Sequence, residues 1–341
     1  MSEKVLLTGA DGYLAGFTIK ALLEAGYEVT GTVRSDDKAR LTRDVLSEMQ
    51  VPNLDKLSFV QADIREDAGW AEAMQGVNAV IHMAHPTPGR WNLDGHEKID
   101  ITADGVHRVM QAAHDAGIKR VILTSCAGAV NGGHEHHDAL FTEEDWSDLS
   151  DNGIPVDYDA RAKMKGEQTA WDFAEENQME LTSILPSLII GPALGDSFSR
   201  QSMIIQAMLM GQLSHLLQQS FNYVDVRDVA AFHVLVLQHP ETVGQRYIVS
   251  AEEYVSYKQM AMCLKERLGD KATKVPTKEL SNFAAKVLSL LVTDLRMPVK
   301  YLGRNTALSA AKAEKELGWK ARIAYDVIGE CAEEIIRVKG L

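Results

Sequence analysis

Residues 8–16 read TGADGYLAG, and their types and spacing suit one chemistry, the binding of a nucleotide's phosphates. They follow the apolar run Val5, Leu6 and Leu7 and open onto an apolar-periodic segment over 14–23. A strand, a glycine turn and a helix are therefore expected in that order. Gly9 permits the tight turn, Gly12 lets the backbone approach a pyrophosphate, and Ala15 keeps the helix close to the strand. Tyr13 and Leu14 open the helix, where N–H groups and the dipole favour an anion. The spacing is GxxGxxA, not GxGxxG, and a glycine turn without a ligand is the competing reading.

A second group of candidates ends the β-branched segment EVTGTVR at 28–34. The second strand of a dinucleotide fold stops beside the adenosine ribose. An acidic residue there suits the 2′-hydroxyl of NAD, whereas cations suit the 2′-phosphate of NADP. Arg34 and Lys38 favour NADP(H), although Asp36 and Asp37 lie between them. Asp63 and Ile64 close a third strand, where adenine commonly lies; Asp63 could instead cap the following helix. A fourth strand at 77–83 runs into Ala84, His85 and Pro86, and the small Ala84 would let a ribose approach. A fifth strand at 120–125 ends at Ser125 and Cys126, at the strand end where ligands of such sheets bind. The loop beyond it holds His134, His136 and His137 without further ligands at regular spacing, so a solvated loop and no metal site are expected. Asn131 is the better candidate there for touching a substrate.

These motifs need a frame. Strands and helices alternate through the first 125 residues, which argues a parallel, doubly wound α/β sheet. Helices are expected at about 93–116, stopped by Gly117, and at 158–177, with a sixth strand at 181–190. After Gly191 and Pro192 the alternation is lost. Met203, Ile204, Ile205, Met208 and Met210 then read as helical core more readily than as a pocket wall.

The 341 residues are 45% hydrophobic, ample for a large core. Lys and Arg total 35 against 48 Asp and Glu, a net charge of −13 that disfavours nucleic acid or an anionic membrane as partner. Eighteen consecutive apolar residues do not occur, and a strand follows Met1 at once, so neither a spanning helix nor a leader is expected. Cys126, Cys263 and Cys331 are odd in number and far apart, which fits a reduced, cytoplasmic chain.

The ordered motifs TGADGYLAG, GTVRSDDK, QADIRED, VIHMAHP, ILTSCAGAV, TEEDW, KGEQTAWDF, ILPSLIIGP, YVDVRDVA and ELGWKAR resemble the extended short-chain dehydrogenase/reductases, in their dihydroflavonol-reductase-like branch with bacterial aldehyde reductases. The resemblance spans nearly the whole chain. It implies a Rossmann-type sheet with a smaller, mostly helical C-terminal substrate lobe. The nucleotide domain would span 1–190 with returning segments 221–250 and 305–325; the lobe would hold 191–220, 251–304 and 326–341. It also implies NADP(H), with Arg34 and Lys38 at the 2′-phosphate, Asp63 and Ile64 at the adenine, Ala84 near the ribose, and Pro186 and Ser187 near the nicotinamide. In the family, a tyrosine hydroxyl protonates the carbonyl oxygen as hydride arrives. A lysine holds the nicotinamide ribose and lowers the tyrosine pKa, and a serine hydrogen-bonds the substrate oxygen.

Two positions depart from that pattern. Aligning KGEQTAWDF puts Lys163 at the family lysine, but the residue four before it is Asp159, and Tyr158 is five before. Four helical residues advance about 400° and share a face; five advance about 500° and point some 140° away. A π-bulge, or a start of the helix after Tyr158, would bring the tyrosine back; otherwise its role is lost. At the serine position stands Cys126, a weak donor, with Ser125 one residue earlier. Ser125, Tyr158 and Lys163 are taken as the catalytic expectation. The expected function is reduction of a small-molecule aldehyde or ketone by a monomer or homodimer. A non-catalytic NADP-binding protein and a sugar-nucleotide epimerase are the alternatives.

Overall fold

A computed structural model describes residues 3–86, 95–134, 139–150, 154, 156–296 and 298–341. The strands are β1 Lys4–Thr8, β2 Glu28–Val33, β3 Leu57–Gln61, β4 Ala79–His82, β5 Arg120–Thr124, β6 Glu180–Pro186, β7 Leu188–Ile190, β8 Ser220–Asp225, β9 Gln245–Val249 and β10 Tyr254–Ser256. The helices are α1 Tyr13–Glu24, α2 Asp36–Glu48, α3 Trp70–Ala73, α4 Gly95–Asp115, α5 Tyr158–Asn177, α6 Met203–Leu209, α7 Val226–Gln238, α8 Tyr257–Leu268, α9 Asn282–Leu288, α10 Ala311–Leu317 and α11 Ala324–Lys339.

Seven strands form one sheet in the order β3-β2-β1-β4-β5-β6-β9, and the ladders from β3 through β6 are parallel. This is the doubly wound Rossmann-type arrangement. The strand order reverses between β1 and β4, whose last residues Thr8 and His82 are register partners. Ligands of such sheets bind at that switch point, beyond the carboxyl ends.

The central strands β1, β4 and β5 carry continuous apolar runs because both of their faces are covered. Leu6, Val80, Val121, Leu123 and Leu181 are buried against Val106, Val109 and Met110 of α4 and Phe173 of α5. Each such side chain contributes about 1.5–3 kcal/mol of burial. Gly166 lets α5 come close to α4, since a Cβ there would stand 3.0 Å from Thr102 Cγ2.

By packing, the chain divides into Met1–Ala129, Asp157–Pro186 and Arg227–Tyr247 as one unit, and Val130–Val156, Ser187–Val226 and Ile248–Leu341 as the other. Residues 130–156, expected within the nucleotide domain, thus group with the C-terminal segments. The second unit has its own three-stranded sheet, β10-β8-β7. Its core gathers Tyr223, Val255, Met260, Leu264, Ile328 and Ile335. Ser256 and Gln259 form a capping box that starts α8. The sixth strand expected at 181–190 is two strands. β6 stops at Pro186, which has no N–H to continue a ladder, and β7 pairs with β8 instead. Ile205 and Met208 lie in the core of this unit, while Met203 is 64% exposed.

Candidate active site

The glycine turn forms at the carboxyl end of β1. Gly9 has φ +70°, and a Cβ on it would meet Ala84 Cα at 3.0 Å. Thr32 Oγ1 accepts the Gly9 N–H at 3.1 Å, and the Gly12 N–H closes onto the Gly9 carbonyl at 3.0 Å. Gly12 is the N-cap of α1 and brings no side-chain oxygen to it. Tyr13 and Leu14 therefore begin a helix whose N-cap residue supplies no side-chain oxygen, at the end where N–H groups and the dipole favour an anion. Thr8 ties this loop to β4. Its Oγ1 accepts from the Met83 and Ala84 N–H groups, each at 3.0 Å, and meets His82 Nδ1 at 2.8 Å. With both lone pairs taken, the hydroxyl proton points to Nδ1, so the His82 proton sits on Nε2. Burial, with the Lys163 charge, pushes the His82 pKa down to about 3 and holds the ring neutral. These features fit a dinucleotide: a cradle that a Cβ would fill, and a helix start aimed at its phosphates.

Arg34 follows β2, and Ser35 caps α2, accepting the Lys38 N–H at 3.4 Å. Lys38 Nζ lies 3.7 Å from Asp11 of the glycine turn. The expected adenine corner holds Asp63, paired with Arg65 at 2.7 Å, and the buried Ile64. Burial works to raise the Asp63 pKa, but the Arg65 hydrogen bonds and the charges of Arg65 and Arg34 bring it below the usual carboxylate range. The cations thus face the end of β2, each already engaged with a carboxylate's field.

α5 delivers the lysine. Asp157 caps it by accepting the Ala160 N–H at 3.0 Å, and the helix runs regularly from Tyr158 with no π-bulge. Lys163 Nζ donates to the Thr124 carbonyl at the end of β5 at 2.6 Å. Burial lowers the Lys163 pKa, against the opposing influence of Cys126 and Glu167. A cavity of about 10 Å³, room for one water, lies among His82, Ala84, Thr102, Thr124, Lys163 and Glu167.

Ser125 lines the same cavity as Lys163. Its hydroxyl donates to Glu167 Oε2 at 2.7 Å, and the residue is buried. Glu167 is fully buried and pairs with Arg246 at 2.8 Å, so the serine serves the strongest acceptor within reach. Cys126 is the more exposed of the two neighbours, and burial pushes its thiol up to about 11, which keeps it protonated and inert.

Tyr158 departs from expectation. It is the first residue of α5, 49% exposed, with its ring edge-on to His96 at 5.6 Å. The regular helix places Asp159, not Tyr158, on the stripe of Lys163. Asp159 forms an ion pair with Lys98 of α4, and its Oδ1 lies 3.9 Å from His85 Nε2. His85 Nδ1 lies 3.4 Å from the Thr102 hydroxyl, which itself donates to the Lys98 carbonyl at 2.8 Å.

The remaining candidates lie in the second unit or at its edge. Pro186 ends β6, and the buried Ser187 donates its N–H to the Val249 carbonyl at 3.0 Å. Asn131 is committed to the Thr306 carbonyl at 2.8 Å. His134 packs on Phe141 at 4.8 Å, whereas His136 and His137 lie outside the described residues. Among the described residues no group of His, Cys, Asp and Glu is arranged to hold a metal, and no helix is long and apolar enough to cross a membrane.

Sequence reasoning missed the Lys98–Asp159 pair, the position of His85 beside it, and the Glu167–Arg246 pair. A signal existed for two of them. Lys98, Thr102, Val106, Val109 and Ala113 are buried at helical spacing, so a lysine occupies the apolar stripe of α4. Ala160, Glu167, Ala170 and Ala174 do the same on α5. A charge on a buried stripe requires a partner.

Comparison with known proteins agrees with this geometry. The model of the NAD dependent epimerase/dehydratase family matches residues 5–250. Cinnamoyl-CoA reductase 1 of Arabidopsis thaliana is 34% identical over 249 residues, 73% of this chain and 70% of that one. Dihydroflavonol 4-reductase of Hordeum vulgare is 31% identical over 262 residues, 73% of this chain and 71% of that one. Among solved structures, yeast methylglyoxal/isovaleraldehyde reductase Gre2, complexed with NADPH, superposes with a TM-score of 0.81 at 26% identity, covering 99% of each chain.

Proposed function

Because this chain belongs to the NAD dependent epimerase/dehydratase family, we propose that it is an NADP(H)-dependent reductase that converts an aldehyde or ketone to the alcohol. The observation that carries this reading is the join of the uncapped glycine turn at β1 to a lysine held at the end of β5. Gly9, Gly12, Tyr13 and Leu14 would receive the pyrophosphate. Arg34 and Lys38 would receive the 2′-phosphate, Asp63 and Ile64 the adenine, and Ala84 the ribose. Pro186 and Ser187 would lie by the nicotinamide, the group that supplies the hydride when bound. Lys163 would exchange the Thr124 carbonyl for the ribose hydroxyls and hold a positive charge beside the reacting carbonyl, where developing negative charge on oxygen is stabilised.

The test is oxidation of NADPH by the purified protein across a panel of aromatic and aliphatic aldehydes and ketones, with product alcohol identified. Turnover above the rate without substrate is expected for at least one class. Binding of NADPH with no turnover on any of them supports the second reading, a non-catalytic NADP-binding protein. The carboxylate of Asp159 on the Lys163 stripe is what favours that alternative.

Replacing Arg34 with alanine is expected to weaken NADPH binding by about ten- to a hundredfold and to leave NADH binding nearly unchanged, since a charge-assisted phosphate contact contributes about 1.5–3 kcal/mol. Titration of nicotinamide fluorescence with each cofactor checks it, and an equal loss for both would remove Arg34 from the phosphate corner.

A further inference from the structure

A hydride reduction needs a proton at the substrate oxygen, and the stripe of α5 offers none. Asp159 stands one turn before Lys163, but its carboxylate is bound in an ion pair with Lys98. Tyr158 is turned outward with His96. Another proton carrier is built into the same corner. His85 directly follows Ala84, whose Cα closes on Gly9, so it stands at the carboxyl end of β4 beside the cofactor cradle. We propose that His85, oriented by Thr102 and by the Lys98–Asp159 pair, is the catalytic acid and base of the reaction, doing there what a tyrosine hydroxyl would do.

The orientation follows from the hydrogen bonds. Thr102 uses its proton on the Lys98 carbonyl at 2.8 Å, so toward His85 it can only accept, which places a proton on Nδ1 at 3.4 Å. Nε2 is then the open nitrogen. It is buried, has no hydrogen-bond partner among the described residues, and faces Asp159 Oδ1 at 3.9 Å. A lone pair turned toward a carboxylate is repulsive, and a proton arriving at Nε2 relieves it. Asp159 and Lys98 are positioning residues in this arrangement: neither touches the substrate, and together they fix where that proton resides. A lysine on the buried stripe of α4 is costly to place, and here it has a defined task.

Four titratable groups face His85: Lys98 on α4, Asp159 and Lys163 on α5, and His82 on β4. Burial first, then the charges of Lys163 and Lys98, hold the His85 pKa well below the ordinary 6.5. The ring of the cofactor-free protein is therefore a neutral base at pH 7. In reduction, which requires the imidazolium form protonated from solvent at Nε2, the carbonyl carbon would take the hydride that NADPH supplies, the C–O π pair would move to oxygen, and that oxygen would take the Nε2 proton, leaving the neutral ring. The carbonyl is reduced, NADPH is oxidised to NADP⁺, and water returns a proton to His85. In the reverse direction Nε2 accepts the alcohol proton, and the neutral ring is already in the right state.

This inference rests on the reductase reading, and its test separates the two. In the full-length protein, kcat/KM for reduction of the best carbonyl of the panel is expected to fall about tenfold per pH unit through the neutral range, because only the imidazolium donates. His85→Asn is expected to flatten that slope and to lower turnover about a hundredfold, with NADPH binding by fluorescence changed less than about threefold. Asp159→Asn is expected to keep the slope but to lower the imidazole titration of His85 further, read by nitrogen NMR on the cofactor-free protein. A pH-independent reduction by the wild type, a slope that survives His85→Asn, or loss of turnover in Tyr158→Phe each overturns the proposal while the reductase reading stands. If no carbonyl is reduced, the reductase reading falls. The NMR arm then decides the orientation alone, and an imidazole titration unmoved by Asp159→Asn overturns it.

Discussion

Replacement of Lys163 by methionine is expected to lower carbonyl reduction by at least about a hundredfold while the protein stays folded. Methionine keeps the length and apolar body of the side chain, so the packing along α5 is retained. What is lost is the ammonium at the end of β5, now donating to the Thr124 carbonyl. No carboxylate is paired directly with that ammonium among the described salt bridges, so its removal strands no buried counter-charge. Steady-state kinetics and thermal unfolding on the same preparation check both halves. Retained turnover would take Lys163 out of the reaction.

Lys163 also sets a pH window with opposite effects on rate and stability. Its pKa in the folded chain is depressed by burial below the ordinary 10.5. Between the folded and the unfolded value the unfolded chain binds one more proton, so this residue's contribution to stability rises with pH. Across the same window the ammonium is lost from the folded protein, so activity declines as pH rises. Alkaline conditions should therefore inactivate the enzyme before they loosen it at this position.

The largest effect on stability is expected from Glu167→Gln. Glu167 is fully buried, pairs with Arg246 and accepts the Ser125 hydroxyl at 2.7 Å. The amide keeps the shape and one acceptor but removes the carboxylate charge that faces Arg246, only 10% exposed. Removing one member of a buried pair costs about 3–5 kcal/mol. Denaturant unfolding should show that loss. The double replacement Glu167→Leu, Arg246→Leu should recover most of it, because the apolar pair needs no desolvated charge. If the double variant is no better than the single one, the pair is not the source of the effect.

The parts of this protein that were legible in its sequence are those that local rules determine. Gly9 and Gly12 announce the turn because only the backbone conformation and close approach found there demand glycine. β1, β4 and β5 are legible because a buried parallel strand is a continuous apolar run, and β2 because it is β-branched. The candidate site was less legible because it joins residues distant in sequence, Lys98 with Asp159 and Glu167 with Arg246. Helical spacing alone did establish that Tyr158 and Lys163 differ by some 140°, and the regular helix from Tyr158 bears out the arithmetic. Whether Ser125 or Cys126 faces outward could not follow from alternation at a strand end. The Ser125 hydroxyl is engaged by a carboxylate 42 positions further along the chain.

The start of α1 has one more consequence. A helix whose N-cap is glycine is completed by what binds to it, so the bound dinucleotide belongs to the stability of the unit around β1. A ligand at a hundred times its dissociation constant adds about 2.7 kcal/mol to the folded state. The lifetime of this protein against proteolysis would then follow the supply of its cofactor. When that supply falls, the protein would be cleared faster, and its abundance would follow the size of the cofactor pool around it.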